Sequence, residues 1–159
     1  MKDFDVENEL ISIVNAVNNI GGEKSFNVSN DFVLKTFLVL CEDNSNDKNS
    51  IKFKIDKFNL HRIQKMRAEW HSMAHAIKLA VTLLNEFGLN QNYFASNNAL
   101  IPLAQYIYLK GNNPAAYAAD KGKMIHCFIS ATLNGILGAG TNATLIKLPT
   151  NWLTRLKIL

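Results

Sequence analysis

The chain has 159 residues, 48% of them hydrophobic, and a formal net charge of +4. That length fits one domain able to bury a core without covalent staples. Two cysteines, Cys41 and Cys127, exclude a disulfide framework; no apolar run approaches the roughly 20 residues of a membrane span; and the acidic start, Met1 to Glu9, is unlike a signal peptide.

Both thiols lie in apolar surroundings and are expected to be buried and free, as in a reducing cytoplasm. The net charge hides an asymmetry. Residues 1–43 hold eight acids against three bases, and residues 44–159 hold five acids against fourteen bases. The densest stretch runs from Lys48 to Arg67, where Lys48, Lys52, Lys54, Lys57, Arg62, Lys65 and Arg67 face Asp56 alone. Such a stretch attracts phosphate backbones, and it equally serves as a solvated face.

The first helix is read from Phe4, Val6, Leu10, Ile11, Ile13, Val14, Val17 and Ile20, which recur at helical spacing until Gly21-Gly22 stops them. Glu7 and Glu9 sit where the helix dipole favours anions. Ser29-Asn30-Asp31 supplies caps for a second helix, Phe32 to Glu42, apolar on nearly every side and so expected to be buried all round. Asp43 to Ser50 is a loop, and Ile51, Phe53 and Ile55 fit either a short strand or an extended connector.

Leu60, Ile63, Met66, Trp70, Met73, Ile77, Ala80, Leu84 and Phe87 step by threes and fours. They predict one long helix with Asn59 as N-cap and Gly88 past its end, a rod of roughly 40 Å at 1.5 Å per residue. It is expected to be the spine of the fold. Ser96-Asn97-Asn98 opens the next helix, which runs to Lys110 and ends at Gly111. Pro102 lies in its early turns and kinks it if placed beyond the first. Pro114 starts a further helical stretch, and Asp120 is the expected cap of a helix from Lys121 to about Leu137. Gly135 to Thr141 breaks that helix; Thr141 or Asn142 opens a short one ending before Pro149. With no internal repeat and no long linker, the expectation is an all-α fold. It is a single-domain irregular bundle of about six to seven helices around one long central helix, spanning 1–159.

The chemistry-bearing residues form no complete catalytic motif. His71 and His75 are four apart on one helix and form a weak metal candidate. A zincin needs glutamate directly after the first histidine, where this chain has Ser72; Glu69 is at the wrong offset, and Arg67 and Lys78 repel a cation. Both imidazoles are expected half exposed on a polar flank. His126-Cys127 sets the two residue types side by side, whereas a cysteine nucleophile needs its base across space, and Cys127 is expected in the core. The glycine-rich run Gly135 to Thr141 lacks the strand and the Gly-Lys-Ser/Thr of a phosphate loop, and reads as a helix end. Trp70, Tyr93, Phe94, Tyr106, Tyr108 and Tyr117 are not interleaved with the basic stretch, as base stacking on single strands requires. No cofactor is expected.

The run Asp31-Phe32-Val33-Leu34-Lys35-Thr36-Phe37-Leu38-Val39-Leu40 resembles a stretch of the GmrSD-type, ParB/sulfiredoxin-like family of modification-dependent restriction systems. Trp70 in the long helix, Ser96 to Leu103 leading into Tyr106, and Gly135, Gly138, Thr141 and Leu145 continue the resemblance in order, over about 31–148. His126-Cys127 departs from it, since a tryptophan is common there. Family members carry an amino-terminal nucleotide-handling domain with an Asp-Gly-x-Gln-Arg type motif. This sequence lacks that motif and is similar to the helical region alone, as a fragment would be. The resemblance implies a cytoplasmic, non-catalytic accessory part of a bacterial DNA-restriction or phage-defence protein. DNA is then the expected partner, through phosphate contacts from Lys52, Lys54, Lys57, Arg62, Lys65 and Arg67. The alternative is an interaction module whose partner is another protein, the missing domain or a second copy, with no nucleic-acid and no membrane role.

Overall fold

The computed structural model describes residues 4–23, 25–41, 60–93 and 96–133. Helices α1 (Val6–Asn18), α2 (Asn30–Leu40), α3 (Leu60–Ala68), α4 (Trp70–Glu86), α5 (Leu100–Leu109), α6 (Pro114–Tyr117) and α7 (Lys121–Leu133) follow one another. Short 3₁₀ turns at Gln91–Tyr93, Asn97–Ala99 and Ala118–Asp120 join some of them. The described residues contain no strand, and the fold is all-α. None of the described helices is long and apolar enough to cross a membrane.

Local chemistry accounts for most helix ends. The Asp5 carboxylate accepts from the Glu7 and Asn8 N–H groups and opens α1. Ser29 Oγ accepts from Phe32 N at 3.3 Å and opens α2. Asn113 caps α6, with Pro114 at the position where a missing N–H removes no bond. Ser96 caps the 3₁₀ turn that leads into α5. Pro102 falls in the first turn of α5 and is buried there. Gly111 follows with φ +68°, the left-handed conformation that ends a helix without a Cβ penalty.

One core runs through these elements. Phe26, Phe37, Met73, Ile77, Leu84, Leu100, Leu103, Ile107, Met124 and Phe128 are among its fully buried side chains. The most extensive pairing is α4 on α5, with α1 and α2 packed against that pair. Thr36 is the buried polar residue of the described core, and its hydroxyl donates to Phe32 O at 2.8 Å. Burial of α2 is less complete than its composition predicts: Leu34, Lys35 and Leu38 are half-buried and Asp31 is exposed.

The expected single long helix is divided. Glu69, with φ −108° and ψ 14°, separates α3 from α4. The hydrogen-bond ladder still threads the break, through Glu69 N to Lys65 O and Met73 N to Glu69 O, each 2.9 Å. Only α4 is a spine. It buries Trp70, Met73, Ala74, Ala76, Ile77, Ala80, Val81, Leu83 and Leu84, whereas α3 buries Met66 alone. Leu60, Ile63 and Phe87 keep the apolar spacing but are 72%, 46% and 47% exposed. The periodicity continues past the point where there is a core to receive it. Asn59, the Asp43–Ser50 loop and the Ile51–Ile55 segment lie outside the described residues, as does everything from residue 134 onward. The helix opening at Lys121 is described as far as Leu133.

Candidate nucleic-acid interface

Of the basic stretch, Arg62, Lys65 and Arg67 are described, all on α3; Lys52, Lys54 and Lys57 lie outside the described residues. Helix α3 contains no acidic residue. Its cations do not share one face. At about 100° per residue, Arg62 and Lys65 project together and Arg67 turns well away from both. The first two are half-buried on the side toward α2. Lys65 Nζ donates to Cys41 O at 3.5 Å, at the carboxyl end of α2, where the helix dipole favours a cation. Cys41 Sγ in turn lies 3.9 Å from Arg62 O. Arg67 is exposed, and its guanidinium carbon sits 5.7 Å from the centroid of the Phe4 ring. That distance is a cation–π contact.

Phe4 links this cation to the core. Its ring meets Trp70 edge to face, with centroids 5.1 Å apart and planes at 85°. On the other side Phe37 meets Trp70 at 4.8 Å and 88°. Trp70 is only 3% exposed, and its Nε1–H is buried without a hydrogen-bond acceptor. Sequence reasoning counted Phe4 in the first helix, which begins only at Val6, and missed this aromatic stack, because Phe4 and Trp70 are joined only by the folding of α1 onto α4.

His71 and His75 are both exposed on α4, more so than the half-exposure expected of them. No group of three or more His, Cys, Asp or Glu side chains suited to a metal occurs among the described residues. His126 is exposed, and Cys127 is half-buried rather than a core residue. It packs against the core beside the buried Phe128, while Ile129, one residue further on, is 40% exposed. Cys41 is buried, and neither cysteine forms a disulfide. The glycine run and Phe94 lie outside the described residues. Among the other aromatics, Tyr106 and Tyr117 are core, Tyr108 is half-buried and Tyr93 is 60% exposed.

A second polar cluster, also missed, joins α5 to the turn before α7. Tyr106 Oη donates to Asp120 Oδ2 at 2.6 Å, so the carboxylate expected to cap α7 is directed at a tyrosine. Burial, then the Asp120 hydrogen bond, pushes the Tyr106 phenol up to about 12. Lys110 Nζ lies 5.4 Å from the Tyr106 ring centroid. Nearby, Lys121 pairs with Glu86 at 2.7 Å and ties α7 to α4. Burial raises the Tyr117 phenol, with Lys121 opposing. These contacts saturate one another within the fold and fit a structural latch.

No model of a known protein family matches the chain, and no curated protein matches it.

Proposed function

We propose that this chain is a non-catalytic helical accessory domain of a bacterial DNA-restriction or phage-defence protein, acting in the cytoplasm and contacting DNA phosphates. The ordered resemblance over about 31–148 supports the setting. The observation that carries the DNA contact is the exposed Arg67 on α3, a helix without acidic residues whose Arg62 and Lys65 lie half-buried toward α2. Helix α3 continues in sequence from Lys52, Lys54 and Lys57. Cations so placed bind phosphate without reading bases. Binding of a duplex should therefore be insensitive to sequence and fall steeply with salt. Titration at low and moderate salt tests this, and a chain that binds no duplex at low salt removes the DNA role. Arg67→Ala should reduce the slope of log affinity against log salt by about 0.9, one phosphate contact in duplex DNA.

A second reading is favoured by one observation. Leu60 and Ile63 lie three apart on α3, exposed by 72% and 46%. An exposed apolar pair on a helix fits a protein partner or a second copy. A strict monomer in light scattering at high concentration counts against self-association.

A further inference from the structure

Arg67 is the exposed cation of α3, yet its guanidinium rests on Phe4. We propose that Phe4 acts as an autoinhibitory strap. Phe4, seated against Trp70, holds Arg67 on its ring, and DNA phosphate must draw Arg67 away from it. The inference rests on the phosphate-binding reading of α3.

Three observations support the strap. Phe4 lies outside α1, as the residue before its N-cap, Asp5. Its ring is half-buried and joined to the molecule through ring contacts with Trp70 and Arg67. The Trp70 indole on which Phe4 packs is 3% exposed, with its N–H buried without an acceptor.

The test uses the whole chain with Trp152→Phe, which leaves Trp70 as the sole tryptophan. Phe4→Leu keeps an apolar plug but removes the ring face, and Phe4→Ala removes both. In each, modification of Arg67 by phenylglyoxal, mapped by mass spectrometry, should rise roughly two- to five-fold, the equivalent of releasing one exposed cation–π contact. Affinity for a short duplex at low salt should rise by a similar factor, and adding Arg67→Ala should abolish the gain. Duplex added to the chain with Phe4 intact should increase acrylamide quenching of Trp70. Unchanged Arg67 reactivity in Phe4→Leu, or a duplex affinity that Phe4→Leu leaves unaltered, overturns the strap while the phosphate reading stands. No duplex binding by any variant overturns the phosphate reading and the competition with it; Arg67 reactivity then reports the Phe4 contact alone.

Discussion

Helices α3 and α4 share one apolar rhythm and differ in what receives it. On α4 the stripe meets α5, α1 and α2, and Ile77 and Ala80 are fully buried. On α3 the same spacing leaves Leu60 and Ile63 in solvent. Apolar spacing sets the phase of a helix. Burial depends on whether another element lies opposite, and that is decided by the path of the rest of the chain. The division at Glu69 marks where the neighbours change. Beyond it toward the amino terminus, the helix carries charge instead of core, which is why the candidate interface is found there.

The largest expected effect would break this comparison outright. Ile77→Ala should cost about 2–5 kcal/mol, whereas Ile63→Ala should shift stability by less than about 0.5 kcal/mol. Urea unfolding of the two variants decides it, and equal losses would mean that α3 is buried like α4. Next in size is a contrast between two turns. Gly21 and Gly88 both have positive φ, +81° and +74°. A Cβ at Gly88 meets nothing, so Gly88→Ala should cost only the backbone strain of about 1 kcal/mol. A Cβ at Gly21 falls on the exposed Asn85 side chain of α4, which must swing aside, so Gly21→Ala should cost slightly more, about 1–2 kcal/mol, by the same unfolding measurement.

Smaller again is the α5 latch. Tyr106→Phe should lose about 1 kcal/mol at neutral pH. The pH dependence has a definite sign. The folded phenol is raised to about 12, above its unfolded value near 10, so the unfolded state loses its proton first. The Tyr106 contribution is therefore complete below about pH 10 and lost as pH rises toward 12. Tyrosinate absorbance should show late-titrating phenols, and Tyr106→Phe should remove the one that titrates near pH 12. The smallest effect belongs to the exposed Glu86–Lys121 pair; Lys121→Ala should cost about 0.3 kcal/mol, and less in high salt.

Asparagine shows why the rest of the site was hard to read. The sequence is rich in it, and only capping positions announce themselves. In the structure Asn18 makes two bonds to the Val28 backbone, at 2.7 and 3.1 Å, and closes the α1–α2 turn. Asn97 donates to Asn27 O at 2.7 Å, and Asn112, at φ 55°, donates to Ser72 O at 2.8 Å. Each bridge joins segments whose meeting has no local signature. The stack of Phe4 on Trp70 and the bond from Tyr106 to Asp120 were invisible for the same reason.

By itself the sequence determined the all-α class and most helix starts and stops. Ser29, Ser96, Pro114, Gly88 and Gly111 act on backbone groups within a few residues of themselves, so their effect is written locally. The tertiary structure alone decided that the long helix divides at Glu69 and that Arg62 and Lys65 lie toward α2. It also placed Arg67 on Phe4. Those outcomes depend on which surfaces meet across the fold, and apolar spacing along one helix carries no information about the element that packs against it.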